Sequence, residues 1–153
     1  QLVALALARA ARVQSFGIKP KVSLLSHSNF GSSAAPSARK VRDATRLIKE
    51  RAPDLEVDGE MHALTAMNEA IRKTLVPNSS LTDRANLLIM PNLDTANIAM
   101  ELIRSITDAL FIGPILSGTA RPAHIVTPSL TATGLFNMSA IAAADAWRRA
   151  HEA

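Results

Sequence analysis

One stretch near the start of the chain decides the fold: Lys-Val-Ser-Leu-Leu-Ser at residues 21–26, followed by His-Ser-Asn-Phe-Gly-Ser-Ser at residues 27–33. The first run is short and contains Val22, Leu24 and Leu25, which predicts a strand. The second is polar and contains a glycine, which predicts a loop. Ser37 then offers an N-cap for a helix of about four turns. The apolar face of that helix recurs at three- and four-residue steps, at Val41, Ala44, Leu47, Ile48 and Ala52.

The alternation of helices and strands continues in both directions. Upstream, residues 2–15 are rich in Ala, Leu and Arg and predict a helix that ends at Gly17 and Pro20. Downstream, the next predicted elements are a brief strand at 55–57, a helix from Met61 to Thr74 and a strand from Ala85 to Met90 buried on both faces. A helix from Leu93 to Ile106 follows, with an inward apolar face at Ala96, Ala99, Leu102, Ile103 and Ile106. The last predicted elements are strands at 109–116 and 123–126 and an Ala-rich helix from Leu130 to His151, broken or capped near Gly134. This order predicts a layered α/β domain with a mostly parallel sheet.

Composition narrows the class of protein. The chain has 153 residues, of which 48% are hydrophobic and 20% charged, enough for one core and unlike a disordered or fibrous protein. It has no cysteine, which excludes disulfides and thiolate metal sites and suits a cytoplasmic location. No apolar run approaches the roughly 20 residues of a spanning helix, so we expect a soluble chain without a membrane partner. Because it lacks an initiator Met and a predicted helix begins at once, we expect a fragment of a longer chain.

The charge balance is mildly basic. Seventeen Lys and Arg against thirteen Asp and Glu leave a net charge of +4, which would permit nucleic-acid or anion binding. The basic residues concentrate in residues 39–51, mixed with Asp43 and Glu50, and the chain has one Trp, four Phe and no Tyr for base stacking. This pattern favours a solvated helix face, so no nucleic-acid partner is expected.

Residues 26–33 are the best local candidate for a ligand site. They place four hydroxyls, His27, Asn29 and Gly31 between a strand and a helix, where parallel sheets collect ligands. This loop could hold a phosphate or a pantetheine-like group, although serine and asparagine are also the residues of ordinary turns.

Other polar positions carry weaker signals. Asp58, Glu60 and His62 could form a metal site or an acid/base pair, but helix-capping carboxylates beside a solvated histidine are the simpler interpretation. His124 lies among apolar residues and is interpreted as a core or edge histidine. Asp94 or Thr95 could cap the helix that follows Asn92. Neither a Walker pattern nor a dinucleotide glycine fingerprint is present.

Four strings in order resemble the phosphate acetyl/butyryltransferase family: Leu-Ser-His-Ser-Asn-Phe-Gly-Ser at 25–32, Val-Asp-Gly-Glu-Met-His at 57–62, Ala-Asn-Leu-Leu-Ile-Met-Pro-Asn-Leu at 85–93 and Ile-Gly-Pro-Ile-Leu at 112–116. The resemblance covers nearly the whole chain. It implies the later half of a phosphotransacetylase-like domain, with a three-layer α/β/α fold of the isocitrate/isopropylmalate dehydrogenase type. It also implies acetyl-CoA or CoA as the ligand.

Within that family, the loop at 26–33, the Glu-Arg-Ala-Pro at 50–53 and the Val-Thr-Pro at 126–128 resemble the carboxy-terminal region of bacterial NADP-dependent malic enzymes. That resemblance implies a malate-oxidising part upstream, which would hold the NADP and the divalent metal, so neither is expected in this chain. It further implies a homo-oligomer regulated by acetyl-CoA. The candidate cleft residues it implies are Ser26, Ser28, Asn29, Ser32, Ser33, Asp94, Asn97, Arg104 and Thr127.

The chain departs from the pattern of active phosphotransacetylases, which resemble one another in an Asp-Leu-Ser-Arg-Gly stretch followed by an acidic residue. The resemblance places Thr127 and Pro128 at the Ser-Arg pair and Gly134 at the acidic position. A guanidinium that clamps the acyl phosphate and a general base are therefore both replaced, and no catalytic residue is expected. Three hypotheses follow: a degenerate domain that senses acetyl-CoA, an active phosphate acetyltransferase, and an oligomerisation module that binds nothing.

Overall fold

The computed structural model describes residues 1–128 and 130–151. Its elements in chain order are α1 (Leu2–Gln14), β1 (Lys21–Leu25), α2 (Pro36–Arg51), β2 (Glu56–Met61), α3 (Ala63–Met67), α4 (Glu69–Leu75), β3 (Leu87–Ile89), α5 (Leu93–Ile106) and α6 (Ala132–His151). The chain divides into two compact units, Gln1–Met100 and Glu101–Ala153. Among the described residues, no helix combines the length and apolarity needed to cross a membrane.

The first unit is built on a three-stranded sheet with the order β2-β1-β3, in which both pairs are parallel. Alternate residues of β1 supply two separate cores. Val22 and Leu24 pack with buried residues of α1 and α2, including Ala6, Val41 and Ile48. On the other side, Leu25 joins a second cluster with Met61, Ala66, Leu81 and Ala85. The predicted α/β fold with a parallel sheet is confirmed, and helices cover both faces of the sheet.

Two helix predictions in this unit are wrong in their boundaries. α2 begins at Pro36 rather than after a Ser37 cap, because the fixed φ of proline suits the first helical position and no side chain caps the helix. The predicted helix from Met61 to Thr74 is a strand end followed by two short helices. Asn68 adopts an extended conformation between α3 and α4, and its side chain accepts a hydrogen bond from Ile71 N to begin α4.

Two burial predictions are also wrong. In β3 only Ile89 is buried, while Leu87 and Leu88 are half-buried. α5 has the predicted limits, but none of its residues is buried, so its predicted inward face does not lie in a core formed by the described residues. The apolar period predicts which face of a helix packs against another apolar surface, but it does not predict which segment provides that surface.

The second unit contains less regular structure than the sequence predicts. Residues 109–116 and 123–126 are not strands. Pro114 and Pro122 lack amide donors, and Leu110 and Ile125 remain exposed without a pairing strand in the described part of this unit. α6 runs unbroken from Ala132, and the hydroxyl of Thr131 accepts a hydrogen bond from Gly134 N at 3.0 Å at its start.

Candidate functional site

The loop of residues 26–33 leaves the carboxyl end of β1 and leads to α2, as predicted. It lies along the end of β2, since Ser26 N donates to Met61 O at 2.9 Å and Phe30 N donates to Glu60 O at 2.8 Å. Phe30 and Gly31 both adopt positive φ values, 44° and 94°. This pair of left-handed residues turns the loop back toward β2.

Glu60 is the extra residue of a β-bulge in β2. Leu24 pairs with Gly59 and Leu25 pairs with Met61, so Glu60 has no partner residue on β1. Gly59 permits this close approach, because its φ is +145° and a Cβ there would lie 2.6 Å from the carbonyl oxygen of Leu24. The bulge directs the Glu60 side chain toward the loop.

The Glu60 carboxylate gathers donors from the loop and from α2. Its Oε1 accepts hydrogen bonds from Ser28 Oγ at 2.7 Å, from Gly31 N at 2.8 Å and from Arg42 Nη2 at 2.8 Å. Its Oε2 accepts from Arg42 Nε at 2.9 Å, which makes the ion pair bidentate. Arg42 Nη2 also donates to Ser33 O at 2.9 Å. The carboxylate therefore holds the middle of the loop directly, at Ser28 and Gly31, and its end at Ser33 through Arg42.

This environment keeps Glu60 ionised. Its side chain is 0% exposed, and burial alone would raise its pKa, but the hydrogen bonds from Arg42, Gly31 and Ser28 outweigh burial and lower the pKa to about 2. The same hydrogen bond to Glu60 raises the pKa of Arg42 above its ordinary value. A permanent anion thus occupies the inner side of the loop.

The remaining polar groups of the loop bond to one another. Ser28 Oγ accepts from Ser33 N at 3.0 Å and lies 3.2 Å from Ser32 Oγ, which accepts from Asn29 N at 2.9 Å. Ser33 Oγ lies 3.3 Å from His27 Nε2. Ser28 is fully buried, whereas Ser32 is exposed. The serine hydroxyls predicted to face a ligand therefore form hydrogen bonds within the loop that hold its shape.

His62 links the loop to the end of β2 through Asn29. Asn29 Oδ1 accepts from His62 N at 2.7 Å, which turns Asn29 Nδ2 toward His62 Nδ1 at 3.1 Å. Since the amide nitrogen donates, Nδ1 must accept, and the ring proton lies on Nε2, which donates to His27 O at 2.9 Å. This network fixes the orientation of the His62 ring against the loop.

Asp58 and Glu60 are not helix caps, contrary to the sequence interpretation. Both lie buried in β2, where Asp58 Oδ1 accepts from Lys49 Nζ at 2.9 Å and Oδ2 accepts from Ser80 N at 3.0 Å. The bulge sends the two carboxylates to different partners. Within residues 1–128 and 130–151, no group of three His, Asp or Glu side chains could hold a metal ion. The glycine between these two acids is the sequence signal that could have indicated the bulge, although no bulge was predicted there.

The other predicted site residues lie outside the loop. Asp94 and Asn97 are exposed in the first turns of α5, and in the described chain neither is hydrogen-bonded to the loop; the cap of α5 is Asn92, whose Oδ1 accepts from Thr95 N at 2.8 Å. In the second unit, Arg104 pairs with Glu101 at 3.1 Å, and the backbone oxygen of Thr127 accepts from Leu130 N at 3.0 Å.

The surroundings of His124 differ from those of the core or edge histidine that the sequence predicts. It lies in irregular chain of the second unit, and both of its ring nitrogens are buried without a hydrogen-bond partner among the described residues.

Comparison with known proteins identifies the family. A sequence model of the family described as phosphate acetyl/butaryl transferase matches residues 1–143. The chain belongs to this family. The resemblance stated from the four sequence strings is therefore confirmed.

Relatives in this family include two kinds of enzyme. The chain is 51% identical over 136 residues to an NAD-dependent malic enzyme of Rhizobium meliloti, covering 89% of this chain and 18% of that protein. It is 47% identical over 147 residues to an NADP-dependent malic enzyme of Escherichia coli, covering 95% of this chain and 19% of that protein. A phosphate acetyltransferase of Paracoccus denitrificans is 41% identical over 82% of this chain and 39% of its own length. The chain thus spans about a fifth of the malic enzymes it matches.

Solved structures of family members have the same fold. The EutD phosphotransacetylase from Staphylococcus aureus matches 95% of this chain and 45% of its own with a TM-score of 0.88 at 28% identity. A phosphotransacetylase from Streptococcus pyogenes matches 96% of this chain and 45% of its own with a TM-score of 0.86 at 32% identity.

Proposed function

We propose that this chain is a phosphotransacetylase-like domain of a malic enzyme, and that it binds acetyl-CoA without transferring its acetyl group. In this proposal the domain helps to assemble a homo-oligomer and makes malate oxidation respond to acetyl-CoA. The nicotinamide cofactor and the divalent metal belong to the rest of that protein. In this proposal the nicotinamide is NADP, and the relatives are named for either NAD or NADP.

The observation that carries the proposal is the chemistry at Pro128 and Gly134, the positions that the family resemblance aligns with a phosphate-binding arginine and a general base. Pro128 has neither a charge nor an amide donor. At Gly134 a Cβ would lie 2.6 Å from Leu130 Cδ1, so this position is packed against Leu130 and an acidic side chain needs Leu130 to move. Without these groups the reaction loses the electrostatic stabilisation on which acyl transfer depends.

Continued ligand binding is supported by the order of the loop at residues 26–33. Its shape is held by buried, charge-assisted hydrogen bonds at the carboxyl end of a parallel strand, where members of open α/β folds bind ligands. A preformed loop binds with less entropic cost than a flexible one. Loss of the reacting groups with retention of the binding loop favours a sensor over an enzyme.

Two other functions have specific support. The identity to a phosphate acetyltransferase favours residual acyl transfer, which requires other groups to replace Pro128 and Gly134. The exposed apolar side chains of α6, among them Leu135, Phe136 and Trp147, favour an oligomerisation module.

The experiment uses the full-length protein that contains this chain. Conversion of acetyl phosphate and CoA to acetyl-CoA should stay below about 1 per second, the lower range of ordinary enzymes. Acetyl-CoA at about 100 times its dissociation constant should stabilise the protein by about 2.7 kcal/mol and raise its melting temperature. Turnover typical of an enzyme would establish the transferase instead. Absence of both turnover and a melting shift would leave the oligomerisation module.

A further inference from the structure

The loop at residues 26–33 is tied to the side chain of Glu60, which the sequence suggested only as a metal-site, acid/base or helix-capping residue. Glu60 accepts from a hydroxyl and a backbone amide of the loop and from the arginine of α2 that also holds the loop's far end through Ser33 O. Its position depends on the bulge at Gly59, and bulges beside functional sites commonly redirect a single side chain. The side chain reaches the loop and no ligand-accessible surface, since it is fully buried.

We propose that Glu60 is the positioning residue of this loop, holding it in the shape that receives acetyl-CoA, an inference that rests on the proposed binding of that ligand. Glu60 fills the place that a bound anion would take among Ser28 Oγ, Gly31 N and the Arg42 guanidinium. The loop therefore offers the ligand its outer, uncharged surface. Such a surface suits the neutral acetyl-pantetheine arm, while the phosphates of the ligand must be held elsewhere.

Asp58 is the natural comparison for Glu60. Both carboxylates are buried in β2, and both pair with a cation of α2, Lys49 for Asp58 and Arg42 for Glu60. Asp58 contacts the segment at Ser80 and makes no hydrogen bond to the loop in the described chain. Removing the charge of either carboxylate should weaken β2 in general, whereas only a change at Glu60 should alter the shape of the loop.

The conservative substitution Glu60→Gln cannot reproduce these contacts. If the amide oxygen takes the place of Oε1, the amide nitrogen faces Arg42 Nε, and two donors then oppose each other. If the amide is turned, its nitrogen faces Ser28 Oγ and Gly31 N instead. The first orientation disrupts the pairing with Arg42 Nε, and the second leaves Gly31 N without an acceptor. Each orientation breaks part of the network that holds the loop, so the loop should open while the size of the side chain is preserved.

The test compares Glu60→Gln with Asp58→Asn in the full-length protein. Calorimetry should show acetyl-CoA binding weakened at least about tenfold by Glu60→Gln and less than about twofold by Asp58→Asn. S-acetylpantetheine, which lacks the phosphates, should lose affinity by the same factor in Glu60→Gln. Amide exchange at Gly31 should quicken at least about tenfold in Glu60→Gln only. If Glu60→Gln fails to fold, Arg42→Lys is the second variant, because it keeps the charge but not the bidentate pair. It should weaken acetyl-CoA binding and quicken exchange at Gly31 by smaller factors.

Equal loss of affinity in both variants would overturn the proposal, because it would show that Glu60 acts through β2 alone. Unchanged affinity in Glu60→Gln with faster exchange at Gly31 would also overturn it, since the loop would then not shape the site. If the unaltered protein does not bind acetyl-CoA, the proposed function fails together with the ligand part of this inference. Exchange at Gly31 would still decide whether Glu60 holds the loop.

Discussion

Acid should destabilise the first unit through Glu60, and the size of the effect follows from its contacts. The pKa of this carboxyl is lowered from 4.5 to about 2 in the folded chain. A group whose folded pKa is depressed stabilises the protein above its unfolded pKa, and that stability disappears as the pH falls toward the folded pKa. The difference between these two pKa values corresponds to about 3 kcal/mol in the free energy of unfolding. About 2 kcal/mol of this should be lost by about pH 3.

Glu60→Gln isolates this contribution, because a neutral amide resembles the protonated acid. Urea unfolding, followed by far-ultraviolet circular dichroism, should show the variant less stable than the unaltered chain by about 3 kcal/mol near neutral pH. At about pH 3 the difference should shrink to about 1 kcal/mol. Trp147 lies in the second unit, so its fluorescence is not a suitable probe.

Glu56 is a second acid-sensitive carboxylate, and it is present in both proteins of this comparison. The hydrogen bond from Lys19 lowers the pKa of Glu56 to about 2 as well, so the unaltered chain should also lose stability in acid through Glu56. Only the Glu60 part of this loss should vanish in Glu60→Gln. Glu50→Gln, which breaks an exposed pair with Arg46, should change stability by less than about 0.5 kcal/mol at any pH. The reasoning would be refuted if Glu60→Gln and the unaltered chain differed as much in free energy of unfolding at about pH 3 as at neutral pH.

Two further substitutions test the packing of the first unit by urea unfolding. Gly59→Ala should cost at least about 2 kcal/mol, because its Cβ collides with Leu24 O, whereas Gly17→Ala, also at positive φ but in open space, should cost about 1 kcal/mol; equal costs would contradict the close approach. Arg72→Leu should cost at least about 3 kcal/mol, because the fully buried guanidinium donates to four backbone carbonyls. Arg84→Leu, at an exposed site, should cost less than about 0.5 kcal/mol, and a similar value for Arg72→Leu would show that those carbonyls find other donors.

The strand, loop and helix at residues 21–51 could be predicted from sequence because each depends on local chemistry. Apolar spacing defines β1 and the inner face of α2, and the glycine and serines between them define a turn. α5 was predicted with its observed limits for the same reason. The four strings that resemble a family added what local patterns cannot supply, namely the order of the whole domain.

The parts that escaped prediction depend on contacts between distant residues. Met61 belongs to β2 because β1 pairs with it, and a helical period read along residues 61–74 contains no trace of that pairing. Glu60 could be noticed as an acid beside a glycine, but its partners Ser28 and Arg42 are 32 and 18 positions away. The exposed α5 and the irregular segments at 109–126 show the same limit, since an apolar pattern does not reveal which surface covers it.

The central claim, that acetyl-CoA bound at this loop controls malate oxidation, is tested most directly by the rate of malate oxidation in the full-length protein against acetyl-CoA concentration. Two sites coupled by about 1–3 kcal/mol would suffice for control. Ser32→Trp places bulk on the exposed loop, which is preferable to a change at the buried Ser28, and Asp54→Trp places the same bulk at the opposite end of the sheet.

Normalised to each variant's own uninhibited rate, Ser32→Trp should need at least about tenfold more acetyl-CoA for half inhibition, and Asp54→Trp should match the unaltered protein. Light scattering on the same samples establishes that the oligomer is intact. Undiminished inhibition in a correctly assembled Ser32→Trp protein would contradict sensing through this loop.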